Sequence, residues 1–151
     1  MSQVLITGMS GVGKTTVLRE LSRRGYRTID TDYDSWVLPD STWDEPRMSA
    51  LLASDSSLVV SGTVENQGCF YDRFAAVVLL SAPVDVLIER VSVRKNNPYG
   101  NSEADQSAIR QNILEVEPLL RNGATLELDA RRPVPELADD IERLIAMSNE
   151  S

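Results

Sequence analysis

Residues 8–15 read Gly8-Met9-Ser10-Gly11-Val12-Gly13-Lys14-Thr15, a G-x-x-x-x-G-K-T spacing whose constrained positions each have a use on a polyphosphate. The glycines let the backbone curl so that successive N–H groups point inward at phosphate oxygens. Lys14 sets a compact positive charge near the β and γ phosphates, the Thr15 hydroxyl can ligate Mg²⁺, and Thr16 closes the run. A second constellation is Ile29-Asp30-Thr31-Asp32-Tyr33-Asp34, where three acids alternate. Asp30 can hold a Mg²⁺-bound water or act as a base, and Asp32 can bind an acceptor hydroxyl. Transfer of a phosphoryl group to an alcohol needs positioning and a proton sink, and a carboxylate supplies both. The alternative for these acids is a solvated turn.

The elements that must position these residues follow from the apolar pattern. Val4-Leu5-Ile6-Thr7 is a short β-branched run, as a buried strand should be, and the segment from Lys14 to Arg24 carries Val17, Leu18 and Leu21 at helical spacing. Residues 26–30 form a short strand, 31–43 a loop, and Asp44 caps a short helix reaching Ala53. Residues 57–61 form a strand before Gly62, 63–73 a loop or short helix, and 74–80 a central strand. Pro83 opens a helix with Val84, Leu87, Ile88 and Val91 on one side, residues 96–101 are turn chemistry, and a long helix runs from Ser102 to about Pro118. Residues 124–128 form the last strand and 133–147 the last helix. This alternation predicts an α/β fold, a single domain over 1–151 with a five-stranded parallel sheet flanked by helices. Right-handed crossovers place the strand C-termini on one edge, where ligands bind, so Asp30, Gly62 and Asp129 fall beside the glycine-rich loop.

Composition narrows the chemistry. A net charge of −8 disfavours nucleic acid as the main partner, and no apolar run is long enough to span a membrane. The chain has no histidine and one cysteine, Cys69, which excludes a His/Cys zinc site, a histidine base and an internal disulfide. With no visible signal peptide, these features predict a cytoplasmic protein, a monomer or small homo-oligomer.

The phosphate loop, the Asp30-Thr31-Asp32 sequence and an arginine-bearing helix before a short lid resemble the P-loop small-molecule kinases of the shikimate kinase, gluconate kinase and adenylate kinase group, AAA-type ATP-binding proteins. The resemblance covers nearly the whole chain. It implies ATP and Mg²⁺ as cofactors, a lid at 95–102, Arg90 stacked on the adenine and Arg94 on the phosphates. Arg90 and Arg94 are four residues apart, hence on one helical face, and a guanidinium can both stack on a π system and fork onto phosphate. Arg110 is a further phosphate ligand or a plain surface charge. The turn Leu128-Asp129-Ala130-Arg131-Arg132-Pro133 resembles the adenine-side loop of these kinases, with Arg131 or Arg132 flanking the ring.

The resemblance stops at the acceptor. Ser61-Gly62-Thr63 stands where shikimate kinases carry three glycines, and Val116 stands where they carry a carboxylate-binding arginine, so an anionic acceptor of that kind loses an anchor. The region 31–56, with Trp36, Trp43, Arg47 and Met48, is expected to bind the acceptor; its tryptophans either line a pocket or form a satellite core. Asp32, Arg47 and Gly62 are the candidate acceptor contacts, and Glu65-Asn66-Gln67 can read hydroxyl or amine groups or cap a helix. Lys14, Asp30 and Arg94 are the candidate catalytic groups. The expected activity is transfer of the γ-phosphoryl group of ATP to a small hydroxyl compound; a nucleoside or nucleotide kinase and an ATP-driven switch are the alternatives.

Overall fold

The computed structural model describes residues 3–9, 12–54, 57–92 and 103–150. In chain order the elements are β1 (Gln3–Thr7), α1 (Lys14–Arg23), β2 (Thr28–Asp30), α2 (Glu45–Ala53), β3 (Leu58–Ser61), a 3₁₀ segment (Gln67–Arg73), β4 (Ala76–Ser81), α3 (Val84–Ser92), α4 (Glu103–Gly123), β5 (Leu126–Asp129) and α5 (Val134–Glu150). Among the described residues the strands form one five-stranded sheet, all parallel, in the order β2-β3-β1-β4-β5. The sequence predicts this class, and the strand at its centre, β1, is buried along its whole length.

Alternation along the strands divides the interior into two cores. Val4, Ile6, Val59, Val78 and Leu80 face a cluster that includes Val17 and Leu21 of α1, Leu87 of α3, Ile113 and Leu120 of α4, and Leu137 and Ile141 of α5. Leu5, Leu58, Val60 and Val77 face the second cluster, with Trp36, Trp43, Met48, Leu51, Phe70 and Phe74. Period-two strands buried on both sides read as continuous apolar runs, which is why 4–6, 58–60 and 76–80 are so apolar.

Several boundaries differ from the sequence expectation: β4 and β5 each begin two residues later than expected, and two further differences have a clear cause. The strand expected over 26–30 is confined to Thr28–Asp30, because Tyr26 and Arg27 are still completing the turn after α1: Tyr26 N–H donates to Leu21 O at 3.1 Å. The long helix does not stop near Pro118 but continues to Gly123. A proline inside a helix costs about 3 kcal/mol. Ile113 and Leu120 on either side of it are buried, each contributing about 1.5–3 kcal/mol, and the carbonyl that loses its donor belongs to Leu114, on the exposed side. Packing outweighs the lost bond. The expected cap is present: the Asp44 carboxylate accepts from Arg47 N–H at 3.3 Å.

A charged clamp joins the first and last helices. Arg24 donates to Glu20 at 2.8 Å, to Asp139 at 2.8 Å and to the Pro135 carbonyl at 3.2 Å. The guanidinium groups of Arg23 and Arg24, each donating to Glu20, hold its carboxyl far below the usual 4.5, at about 2. A carboxyl depressed in the folded state stabilises the fold above its unfolded value and loses that contribution as pH falls through its folded value. The melting temperature of the native chain is therefore expected to fall between about pH 4.5 and pH 2, and Glu20→Gln to fall less over the same range. Equal slopes in a calorimetric pH series would refute the clamp.

Candidate functional site

The phosphate loop leaves the C-terminal end of β1 and enters α1. Gly8 has φ 153, and a Cβ there would meet the Leu80 carbonyl oxygen at 2.5 Å and Val12 Cγ2 at 2.9 Å. Gly13, the N-cap of α1, has φ 91 and gives no side-chain hydrogen bond to the first turn. The N-terminal turn of α1 and the positive end of the helix dipole suit an anion. Lys14 Nζ lies across the loop and donates to Gly8 O at 2.5 Å. Ser10 and Gly11 lie outside the described residues; Met9 and Val12 are buried, and Thr16 is exposed at the base of the loop.

Thr15 Oγ1 donates to Asp30 Oδ2 at 3.0 Å, so the end of β2 brings its carboxylate to the start of α1 as expected. The other oxygen of Asp30 accepts from the Asp32 N–H at 3.1 Å, which fixes the carboxylate plane. Asp32 itself is exposed and lines none of the cavities beside the loop. Among the described residues no cluster of three acids, cysteines or histidines gathers to cage a metal. Two hard oxygens with open surroundings suit an ion that draws its other ligands from water and phosphate, which is the habit of Mg²⁺.

On one side of the loop lies a cleft of about 360 Å³ lined by Val12, Gly13, Thr16, Arg90, Ala130 and Arg132, among others. The half-buried Arg90 donates to Ala130 O at 3.0 Å and to Val12 O at 3.5 Å, bridging the loop to the β5–α5 turn. Of the two arginines in that turn, Arg132 lines this cleft. Arg131 instead grips Asp129, at 2.7 Å for Nη2, and lines a different cavity. That pairing holds the Asp129 carboxyl down at about 2. Arg110 is likewise engaged elsewhere, with Asp85 at 2.8 Å on the exposed surface between α3 and α4. Arg94 and the expected lid at 95–102 lie outside the described residues.

On the other side of the loop is a larger cavity, about 620 Å³, lined by Met9 and Thr63 next to the phosphate loop, Glu65 and Tyr71 beyond them, and Asn112, Val116 and Leu119 of α4. A buried polar chain joins it to the loop. Thr63 Oγ1 donates to Gly8 O at 2.6 Å and accepts from Gly8 N–H at 3.2 Å. Gln67 Nε2 donates to Thr7 Oγ1 at 3.0 Å and to Tyr71 Oη at 2.7 Å, and its carbonyl accepts from Val64 N–H at 2.8 Å. The Tyr71 ring fills the space where Gly123, at the end of α4, would carry a Cβ, 2.2 Å from Cε2. Sequence reasoning reached Gln67 as a polar group on this edge. It missed Tyr71, Asn112 and Leu119, whose only signal is a tertiary contact.

The expected acceptor region 31–56 divides. Ser41 lines the large cavity, Tyr33 and Asp34 line a separate one of about 390 Å³ beside Asp30, and residues 55 and 56 lie outside the described residues. Trp36, Trp43 and Met48 are buried in the second core, which resolves the tryptophans as packing. Arg47 lies 3.8 Å over the Trp36 ring and donates to the Asp34 carbonyl at 2.6 Å. Asn66 clamps the Trp43 backbone at both N–H and carbonyl, 2.8 and 3.1 Å. Gly62 is where β3 meets this core: a Cβ would stand 2.2 Å from Thr31 Oγ1 and 3.2 Å from Trp43 Cζ2.

A parallel sheet ordered β2-β3-β1-β4-β5, with a glycine-rich loop running from its central strand into a helix, is the fold of the P-loop kinases. Residues 4–111 match the model of the AAA domain family, and the chain belongs to that family. The fold is similar to shikimate kinase from Acinetobacter baumannii in complex with shikimate (TM-score 0.72, 23% identity, covering 97% of this chain and 94% of that one). It is similar also to the YorR protein of Bacillus subtilis in complex with phosphorylated GDP (0.71, 21%, 99% and 99%) and to a gluconokinase from Sinorhizobium meliloti 1021 (0.67, 20%, 99% and 94%). Among curated sequences, a nucleotide-binding protein of Agathobacter rectalis is 27% identical over 99% of this chain, and one of Synechococcus sp. is 26% identical over 77%. This chain spans only 55% and 37% of those two proteins. No helix among the described residues is long and apolar enough to cross a membrane.

The crowding at Gly62 gives a stability test. Gly62→Ala is expected to destabilise the fold by about 1–3 kcal/mol, the usual cost of overpacking a filled site. A denaturant midpoint equal to that of the native chain would show that Thr31 and Trp43 yield without cost.

Proposed function

We propose that this chain is an ATP- and Mg²⁺-dependent phosphotransferase that moves the γ-phosphoryl group to the hydroxyl of a small molecule, in the cytoplasm. The observation that carries the reading is Thr63, whose hydroxyl holds both the amide and the carbonyl of Gly8 and also lines the large cavity. The phosphate loop and a cavity of acceptor size therefore share one side chain, which is the adjacency that direct transfer requires.

The triphosphate is bound by the loop from Gly8 to Thr16, with Lys14 leaving the Gly8 carbonyl for phosphate oxygens. The base occupies the cleft between Arg90, Arg132 and the β5–α5 turn. The residues present fit Mg²⁺: Thr15 and Asp30 would hold it, and when bound it neutralises charge on the β and γ oxygens. The acceptor oxygen bonds to the γ phosphorus as the bond to the bridging oxygen breaks; Asp30, which lines the separate cavity, orders a water or takes the hydroxyl proton through one. Lys14 and, from its place in the sequence, Arg94 stabilise the transferring group. The relatives named as nucleotide-binding proteins and the kinase folds support this reading. A nucleoside acceptor stacked on tryptophan is disfavoured, since both indoles are buried in the core.

Lys14→Ala is expected to lower acceptor-dependent ADP release by at least ~100-fold, the scale of one electrostatic catalytic group. Near-native turnover in that variant would sink the assignment. Nucleotide binding has its own readout: a ligand at 100 times its dissociation constant stabilises the native state by about 2.7 kcal/mol, so ATP with Mg²⁺ is expected to raise the melting temperature.

A further inference from the structure

The large cavity has a polarity that specifies its occupant. Among the described residues its one ionisable carboxylate is Glu65, whose backbone N–H donates to Ser41 O at 3.2 Å. Asn112, on the α4 wall, adds an amide. Val116, Leu119 and Leu120 of the same helix form an apolar side, and Leu119 is 69% exposed to the open space. Thr63 and Met9 close the end nearest the phosphate loop. No lysine or arginine lines the cavity among the described residues.

An anion in this space would meet a carboxylate and an apolar wall, with no lining cation among the described residues to offset its desolvation. A cation would meet the Glu65 carboxylate, with leucine and valine on one wall to take an apolar skeleton. The acceptor hydroxyl is placed at the end nearest the phosphate loop, because direct transfer requires it there. Resting on the phosphotransferase reading, we propose that the acceptor is a small amino alcohol, its ammonium held by Glu65, its carbon skeleton against Val116 and Leu119, and its hydroxyl directed to the phosphate loop. The products are then a phosphate monoester bearing the amine, ADP and a proton.

The test uses the full chain with Mg²⁺ and a non-hydrolysable ATP analogue. Two matched sets of probes share a skeleton and differ in charge: trans-4-aminocyclohexanol, cyclohexane-1,4-diol and 4-hydroxycyclohexanecarboxylate; and glucosamine, glucose and glucuronate. Calorimetric titration is expected to show the amine binding at least tenfold tighter than the carboxylate in one set or both. Glu65→Gln is expected to erase that preference, and Asn112→Arg to invert it. Both positions are exposed, so neither change disturbs the core. Carboxylate binding equal to or tighter than the amine, or no amine binding in either set, overturns the proposal. ADP release with hydrolysable ATP separates it from the reading beneath it. Release with neutral or anionic probes alone keeps the phosphotransferase and discards the amino alcohol. Amine preference with no ADP release from any probe discards the phosphotransferase and keeps the cation-selective cavity.

Discussion

Everything at this site depends on how close Gly8 comes to the end of β4. Its Cα has the Leu80 carbonyl where a side chain would be, and the Thr63 hydroxyl takes both of its backbone polar groups. Gly8, the first residue of the loop, is thereby held between β4 and the residues that follow β3. A phosphate cradle works only if its N–H groups already point inward, since reorganising them on binding would consume the affinity they supply. The buried sheet supplies that rigidity, and the glycine permits the approach that transmits it.

The two faces of the sheet serve the site differently. One carries α1, whose N-terminal turn follows the phosphate loop, and α5, which follows the turn that bears Ala130 and Arg132. The other carries a core built around Trp43, locked by Asn66 and pressed against Gly62. Trp43 and Phe70 meet edge to face, with centroids 5.8 Å apart. This second core holds the start of the 3₁₀ segment in place, and through Gln67 it positions Tyr71 and Thr7. Aromatic residues from 36 to 74 are therefore structural supports of a cavity whose lining comes mostly from elsewhere.

The phosphate loop and the strands around it were legible because their pattern is local. Eight successive residues encode the loop, apolar runs encode the strands, and Asp30 ends its strand. The large cavity was not, because it is assembled from Ser41, residues 63–71 and residues 112–120, which no sequence window contains together. Tryptophans in a polar stretch carry no mark that distinguishes a ligand-facing ring from a buried one; neighbours distant in sequence decide it. The pair Arg131 and Arg132 shows the limit at its finest. Adjacent residues of one type part company because Asp129, two positions back, captures the first. Pro118 shows the converse, a strong local stop overridden by the buried side chains flanking it.

Gly123 sits at the far end of α4, well removed in sequence from the phosphate loop, yet a Tyr71 ring occupies the volume of its missing side chain. From that ring an unbroken line of hydroxyl and amide groups runs through Gln67 to Thr7, the last residue of β1. The helix that walls the cavity is thus keyed, like a bolt in its slot, to the strand that carries the loop. Sliding α4 along its axis by one residue would replace the gap at 123 with a side chain and push the ring, the amide and the threonine in turn. The width of the cavity and the shape of the phosphate cradle are consequently one mechanical variable.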